Sequence, residues 1–264
     1  MLESLQGKVA IVTGSSSGIG EACAVEMARR GGRVAINYAT NETGAQRTAE
    51  KVRALGAEAI IVQADVTVLD SCQMLVDATL SEWGQLDVLI NNAGRTKFNA
   101  HDDLDGLDKS DFLEIYETNL VGAYQLIQAA YPSFKSYYEE RGAVGTIVNM
   151  ASIAGVAGIG SSVAYAASKG ALNTMTKSLA RALAPAVRVN AICPGWVGTP
   201  WMGKQFGEEG MQRMANHFRS ITPLDHAGVA EDVALATLFF ACDLSRHVTG
   251  ETLLVDGGYH LALK

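Results

Sequence analysis

The stretch KVAIVTGSSSGIG, residues 8–20, joins a short β-branched run to a turn that is rich in glycine and serine. Glycines at 14, 18 and 20 let the main chain approach a ligand closely and let the next helix pack against a sheet. The free N–H groups at the start of such a helix, together with its dipole, suit a pyrophosphate. The spacing is not the commoner GxGxxG, so a plain glycine turn stands as the alternative.

Similar apolar runs recur along the chain, separated by alanine-rich amphipathic segments of helical length. Strands that are apolar throughout and alternate with helices are typical of a parallel sheet covered on both faces. We therefore expect an α/β fold, a Rossmann-like doubly wound parallel sheet of about seven strands with helices on both faces. The strand candidates are 8–13, 33–38, 59–63, 86–91, 145–150, 188–192 and 252–255, and the helix candidates are 19–30, 43–55, 68–83, 108–136, 163–183 and 229–242.

Length and composition indicate one globular domain. The 264 residues are 48% hydrophobic and 19% charged, and no linker or change of composition divides them, so we expect residues 1–264 to form a single domain. The net charge of −7 argues against nucleic acid or an anionic membrane as a partner. We also expect no signal peptide and no membrane span, because the beginning of the chain lacks a basic and an apolar region and no apolar run is long enough.

The four cysteines have no CxxC spacing, and the five histidines form no metal-ligand pattern. We expect reduced cysteines in a cytoplasmic protein without a metal site, and a packing role for Cys193.

Small and polar residues follow the predicted strands, at the edge of the sheet where doubly wound folds bind ligands. Residue type leaves two roles open for Asp65, which either hydrogen-bonds an adenine edge or caps helix 68–83. The turn NNAG forms either one wall of a groove or a tight turn. The residues at this edge are Asp65 and Val66, Asn91 to Gly94, Ser152, and Pro194 with Gly195.

Tyr165 and Lys169 lie four residues apart, so a helix places them on one face. A phenol has an ordinary pKa of about 10, and a nearby cation favours its ionised form. The pair is either an acid/base device, with Lys169 lowering the pKa of Tyr165, or an ordinary surface pair.

In combination, these motifs resemble those of the classical short-chain dehydrogenases/reductases. A lone YxxxK is weak evidence, but the elements occur in order over nearly the whole chain. They are TGSSSGIG (13–20), Asp65-Val66, NNAG (91–94), Asn119, Ser152, YAASK (165–169), Pro194 to Thr199 and VDGG (255–258). The resemblance implies an NAD(P)(H)-dependent oxidoreductase that transfers a hydride between the nicotinamide and a carbonyl or secondary alcohol.

The resemblance also implies the roles of four catalytic residues. Tyr165 is the general acid/base, Ser152 hydrogen-bonds the reacting oxygen, Lys169 holds the nicotinamide ribose, and Asn119 supports a water relay. The cofactor is expected against Gly14, Ser15, Ser17, Gly18, Ile19, Gly20, Asn37, Tyr38, Asp65, Val66, Asn92, Ala93, Gly94, Tyr165, Lys169, Pro194, Gly195, Val197 and Thr199.

The residue at the end of the second strand favours NADP(H), with NAD(H) possible. An acid there normally binds the ribose 2′-hydroxyl and repels a 2′-phosphate, and this chain has Asn37 instead. The basic residue that often holds the phosphate is also missing from this position and from the glycine loop. We expect hydroxyls and amides to bind the phosphate, from Ser15, Ser17, Asn37, Thr40 and Asn41.

The substrate lid is expected at about 196–226. Its large apolar side chains either wall a substrate pocket or, as we expect for most of them, pack against the body of the domain; they are Trp196, Trp201, Met202, Phe206, Met211, Met214 and Phe218.

Within the family the chain resembles 3-oxoacyl-carrier-protein reductases and sugar or alcohol dehydrogenases. A general reductase of small-molecule carbonyls ranks above the carrier-protein enzyme, for which Arg141 and Arg181 are the candidate basic contacts. A catalytically silent dinucleotide sensor or scaffold is the alternative of another class. The resemblance further implies a homotetramer.

Overall fold

Seven parallel strands form one sheet in the computed structural model, which describes residues 5–262 except for the side chains of Met202, Lys204 and Gln205. The strands are β1 Val9–Val12, β2 Arg33–Tyr38, β3 Ala59–Gln63, β4 Val88–Asn91, β5 Gly145–Met150, β6 Val187–Pro194 and β7 Thr252–Val255. Their order across the sheet is β3-β2-β1-β4-β5-β6-β7, and every pairing is parallel. The order reverses between β1 and β4, which is where such sheets open a ligand crevice.

Helices cover both faces of the sheet, as predicted. One hydrophobic core lies under the first, second and ninth helices, and a second core lies under the third, fifth and seventh. The helices are α1 Gly18–Arg29, α2 Glu42–Ala54, α3 Leu69–Trp83, α4 Lys109–Tyr116, α5 Gly122–Arg141, α6 Ala154–Ala157, α7 Val163–Leu183, α8 Pro200–Ile221 and α9 Ala230–Ala241. The predicted fold class is confirmed.

One predicted helix is wrong in detail. The segment 108–136 is not a single helix, because a π-helical turn, Glu117–Val121, separates α4 from α5. α5 then continues through Pro132 to Arg141, since its buried face packs on the sheet strongly enough to offset the hydrogen bond that proline lacks. The lid forms α8, which Gly207 interrupts with a left-handed φ of 64°.

Among residues 5–262, no helix is both long and apolar enough to cross a bilayer. The four cysteines, Cys23, Cys72, Cys193 and Cys242, are all buried in the interior. Burial raises the pKa of the Cys193 thiol to about 11, which keeps it neutral. It lies in a small core cluster beside Ala151 and Leu172, in the expected packing role.

Arg188 on β6 ties the end of α9 to the sheet. Its guanidinium donates to the Ser245 carbonyl at 3.0 Å and hydroxyl at 2.9 Å, and to the Phe240 carbonyl at 2.9 Å. It also donates to the Thr146 hydroxyl on β5 at 2.8 Å. One side chain therefore satisfies acceptors from three separate elements, and hydrogen bonds from a charged donor are the stronger kind.

Arg188→Met is expected to lower the free energy of unfolding by roughly 3 kcal/mol, because it leaves several part-buried acceptors without a donor. Urea denaturation of the variant measures this loss. Arg213→Met is the matched control, since Arg213 makes one long ion pair on the exposed face of α8. A loss of unfolding free energy for Arg188→Met no larger than for this control would show that the hydrogen bonds of Arg188 contribute little to stability.

Candidate active site

A cavity of about 1010 Å³ opens at the carboxyl ends of the central strands. The glycine loop before α1 lines one end, and residues of α8 line the other. The ends of β4, β5 and β6 contribute Asn92, Ser152 and Pro194 to the lining. This volume is at the upper end of the range for ligand pockets, so it has room for a dinucleotide together with a small substrate.

The glycine loop approaches the cavity through backbone that favours glycine. Gly14 and Gly18 have φ angles of 59° and 60°, in the left-handed region. Ser17 is the N-cap of α1 but its side chain makes no capping hydrogen bond, so the first N–H groups of that helix are available to an anion. Ser17, Gly18 and Ile19 all line the cavity. Gly20 does not line the cavity. A Cβ there would lie 2.6 Å from the Gly14 carbonyl oxygen, so the absence of a side chain at Gly20 lets α1 pack closely against the glycine loop.

Thr13 joins the glycine loop to the NNAG turn. Its hydroxyl accepts hydrogen bonds from the backbone N–H groups of Asn92 and Ala93, both at 2.9 Å. The Asn92 amide donates back to the Thr13 carbonyl at 2.9 Å. Asn92, Ala93 and Gly94 thereby form a wall of the cavity. Sequence reasoning did not single out Thr13, because a threonine at a strand end has no distinguishing pattern.

Two residues expected to bind the phosphate use their side chains inside the protein. The Ser15 hydroxyl donates to the Val12 carbonyl at 2.7 Å and accepts from the Asn37 N–H at 3.0 Å. Asn37 is 2% exposed; its amide donates to the Ala64 carbonyl at 2.9 Å and accepts from the Gly14 N–H at 3.2 Å. The expectation that these two side chains are free for a phosphate is therefore wrong. They shape the glycine loop instead.

Three more predicted cofactor residues lie outside the cavity lining. Tyr38 is buried in the core beneath α1, and Val66 is buried close to the start of α5. The Asp65 carboxylate accepts from the Thr67 N–H at 2.9 Å and hydroxyl at 2.8 Å. It therefore stabilises the turn before α3 rather than capping the helix, whose N-cap is Val68. The structure does not bring these residues to the cavity, and an adenine contact by Asp65 stays a prediction.

The cavity does have a basic residue at the glycine-loop end, which sequence reasoning missed. Arg47 and Asn41, both from the region of α2, line it beside Ser17. The Arg47 guanidinium lies 3.2 Å from the Glu21 carboxylate and its side chain is about half exposed, at 53%. Arg47 is the sixth residue of α2, beyond the loop that follows β2, so only the packing of α2 reveals its position.

Ser152, Tyr165 and Lys169 meet in the middle of the cavity. The Ser152 hydroxyl is hydrogen-bonded to the Tyr165 hydroxyl. Lys169 is 3% exposed, and its ammonium donates to the Met150 carbonyl at 2.7 Å. The same ammonium lies 5.7 Å from the centre of the Tyr165 ring. The interpretation of this pair as ordinary surface residues is therefore wrong.

Asn119 is close to this group but does not line the cavity. It lies in the π-helical turn, where its side chain accepts from the Arg95 N–H at 2.7 Å and donates to the Arg95 carbonyl and the Ser168 hydroxyl, both at 3.0 Å. A Cβ on Gly94 would lie 3.4 Å from the Asn119 oxygen and 3.7 Å from the Lys169 nitrogen. The structure thus brings the four predicted catalytic residues together.

Burial controls the ionisation of the tyrosine and the lysine. It raises the pKa of Tyr165 to about 12, although the hydrogen bond with Ser152 acts in the opposite direction. It also lowers the pKa of Lys169 to about 8. The expectation of a lowered pKa for the phenol is wrong, because desolvation outweighs the influences that favour its ionised form. Tyr165 consequently keeps its proton at neutral pH, which suits a proton donor.

The end of β6 and the following loop complete the cavity. Pro194, Gly195, Val197 and Thr199 line it as predicted. A Cβ on Gly195 would lie 2.7 Å from the Asp256 side chain, so this glycine lets the loop pass against the VDGG turn. The lid differs from expectation, because most of its large side chains line the cavity rather than packing elsewhere: Trp196, Trp201, Phe206, Met214 and Phe218. The Met202 side chain lies outside the described residues.

Comparison with known proteins identifies relatives over the whole chain. Residues 14–260 match the family described as "Enoyl-(Acyl carrier protein) reductase". A Streptomyces violaceoruber protein assigned as ketoacyl reductase 2 of the granaticin polyketide synthase is 40% identical over 97% of each chain. L-rhamnose 1-dehydrogenase (NAD(P)(+)) from Azotobacter vinelandii is 38% identical, over 97% of this chain and 98% of the relative. A Burkholderia xenovorans crystal structure assigned to the short-chain dehydrogenases/reductases is 36% identical, with a TM-score of 0.87, over 96% of this chain and 98% of that one.

The lowered pKa of Lys169 predicts the pH dependence of catalysis. Its ammonium is fully present well below pH 8 and is lost as the pH rises through about 8. We expect kcat/KM for the reduced nicotinamide cofactor, which reports groups of the free enzyme, to be level near pH 7 and to fall above about pH 8.

Steady-state rates across this pH range provide the measurement. Lys177→Met, which removes an exposed lysine on the same helix, is the control and should keep the profile. A profile that stays level until pH approaches 10, the ordinary lysine range, would contradict the assignment.

Proposed function

Because the chain belongs to the short-chain dehydrogenase/reductase family and is an NAD(P)-dependent oxidoreductase acting on CH–OH and C=O groups, we propose that it reduces a small-molecule ketone with NADPH. One observation carries this proposal: Ser152, Tyr165 and Lys169 converge inside the same cavity that the glycine loop lines. Burial keeps Tyr165 protonated at neutral pH, the form that donates a proton, and this supports the proposed reductive direction.

The residues present fit a nicotinamide dinucleotide. The N–H groups at the start of α1 suit the pyrophosphate, and Gly14 and Gly18, which carry no side chain, allow its close approach. Lys169 would hold the nicotinamide ribose, and Val197 and Thr199 would hold the carboxamide. The nicotinamide, when bound, supplies or accepts the hydride.

In this proposal the protein's own groups handle the substrate oxygen. Tyr165 donates its proton to the carbonyl oxygen as the alcohol forms, and Ser152 hydrogen-bonds the same oxygen and orients it. Lys169 places a positive charge beside the phenol, which eases loss of the proton. Asn119 holds Arg95 and Ser168 around the lysine and supports the relay that returns a proton to the site.

The preference for NADP(H) is supported by the charges around the glycine loop. Of the described residues that line the cavity, none is acidic, whereas Arg47 lines it beside Ser17 and Asn41. An arginine suits a phosphate because its planar fork donates two hydrogen bonds at once. Asn37 cannot take the role of a ribose-binding acid, since its side chain is buried among backbone partners.

The alternatives have less support. A reductase of acyl carrier proteins needs basic residues near the pocket, but Arg141 and Arg181 are exposed and do not line it. A silent sensor or scaffold is disfavoured because the four catalytic residues are present and adjacent. We also propose a cytoplasmic homotetramer; the exposed apolar side chains of Val121, Tyr124 and Val163 support the assembly.

Tyr165→Phe tests the proposed chemistry. With the proton donor removed, we expect kcat for ketone reduction to fall by roughly 10²–10⁴-fold, while the affinity for NADPH changes little. NADPH oxidation and NADPH binding are measured on the same protein. The matched control is Tyr137→Phe, which removes a hydroxyl bonded to the Gly84 carbonyl on the far side of α5. Full activity in Tyr165→Phe would rule out this role.

Arg47→Met tests the cofactor preference. We expect KM for NADPH to rise about tenfold or more with KM for NADH nearly unchanged, because only NADPH has the 2′-phosphate. Arg53→Met on the same helix, where the side chain instead donates to the Ala59 carbonyl, is the control. Equal changes in the two KM values would show that Arg47 does not recognise the phosphate.

A further inference from the structure

We propose that the substrate is a neutral ketone that carries an aromatic or fused-ring group, bound among the aromatic rings at the lid end of the cavity. The inference rests on the proposed function, since it concerns the compound that Tyr165 protonates. It follows from the rings, the charges and the polar groups at that end.

One group of rings forms a continuous wall. Trp196 and Phe218 are stacked, with centroids 5.3 Å apart and planes 9° from parallel. Tyr259 meets the edge of Phe218 at 5.4 Å. All three side chains line the cavity. Because each ring is held by its neighbour, this wall offers a preorganised flat surface, and flat ligands bind such surfaces with little loss of side-chain entropy.

A second group of rings lies next to the proton donor. Trp201 lies 6.2 Å from the Tyr165 ring, centre to centre, and both side chains line the cavity. Phe98 and Phe206 meet edge to face at 5.3 Å and line it as well. A carbonyl that receives the proton of Tyr165 therefore has aromatic rings beside its substituents.

Charged side chains are absent from the lid end, within the part of the lining that the structure describes. The two charged residues of the described lining are Arg47, at the glycine loop, and Lys169, beside Tyr165. Arg95 and Lys97 lie in an adjoining pocket, where they pair with Glu114 and Asp111. A carboxylate or phosphate on the substrate would consequently find no free cation among these residues, which favours a neutral compound.

Most polar side chains at the lid end already have partners; an exception is the Trp196 indole N–H, which is buried without an acceptor among the described residues. Thr96 and Ser161 share a hydrogen bond of 2.6 Å between their hydroxyls. The Asn99 amide donates to the Ala100 carbonyl at 2.9 Å and to the Asp103 carbonyl at 2.7 Å. A sugar needs several free donors and acceptors to replace its water, and these groups offer few. The lid end thus suits a ring system better than a polyol.

A matched set of ketones tests the inference: β-tetralone, its saturated analogue β-decalone, and the straight-chain methyl octyl ketone. These compounds have the same number of carbons and an unconjugated carbonyl, and β-tetralone and β-decalone also share a six-membered ring at the carbonyl, so that pair isolates the aromatic ring from the effect of ring closure on carbonyl reactivity. We expect kcat/KM with NADPH to be about tenfold or more higher for β-tetralone than for methyl octyl ketone, with β-decalone between them.

Tryptophan variants locate the effect. Trp196→Leu and Trp201→Leu should lower the ratio of kcat/KM for β-tetralone to kcat/KM for methyl octyl ketone to near one. Trp83→Leu, at the end of α3 and outside the cavity lining, makes the same substitution elsewhere and should retain the advantage.

The outcomes separate the two proposals. Equal or reversed kcat/KM values among the ketones, or loss of the advantage in Trp83→Leu as much as in Trp201→Leu, would overturn the ring preference and leave carbonyl reduction standing. Failure of the wild-type protein to reduce any ketone with NADPH or NADH would overturn the proposed function and the inference with it.

Discussion

The buried ammonium of Lys169 is the constraint around which the site is arranged. Burying a charge costs several kcal/mol unless polar groups replace its water. Among the residues that the structure describes, no carboxylate pairs with Lys169; its ammonium donates to the Met150 carbonyl, where β5 ends. The small residues of α7 and Gly155 of α6 let these two helices pack closely, since a Cβ on Gly155 would collide with the backbone at Lys169 and Gly170. The end of β5, which supplies the carbonyl, and the small residues of α7, which allow close packing, together keep Lys169 in the interior.

The same burial explains how a tyrosine can act at neutral pH. Desolvation raises the pKa of Tyr165 to about 12 and lowers that of Lys169 to about 8, so the two values, which ordinarily lie close together, move apart. The phenol holds its proton until a substrate oxygen gains negative charge, and the adjacent ammonium then favours its release. A hydrogen bond from the Ser152 hydroxyl favours the ionised form of the phenol and so assists this release. The ionisation states thus follow from packing rather than from an unusual residue.

Sequence reasoning succeeded where one local signal decides the structure. The strands 33–38, 59–63, 145–150 and 252–255 and the helix 163–183 have the predicted bounds, because uniform apolar runs and clear caps define them. Sequence reasoning failed for residues whose role is decided by a contact with a distant part of the chain. Asn37 and Ser15 look like free polar groups in the sequence, yet neighbouring strand ends use their hydrogen bonds. Arg47 reaches the cavity only through the packing of α2, and the aromatic wall at Trp196 depends on how α8 folds back over the sheet.

The most direct test of hydride transfer in this cavity follows the label from the cofactor to the product. NADPH that carries deuterium at both hydrogen positions of the reactive nicotinamide carbon is supplied with a ketone, and the alcohol is analysed by mass spectrometry and NMR. The account predicts one deuterium at the carbinol carbon, and none at that carbon when unlabelled NADPH is used in D₂O, since solvent supplies only the proton that passes through Tyr165 to oxygen. Deuterium at the carbinol carbon from D₂O, or its absence there with labelled NADPH, would contradict the account.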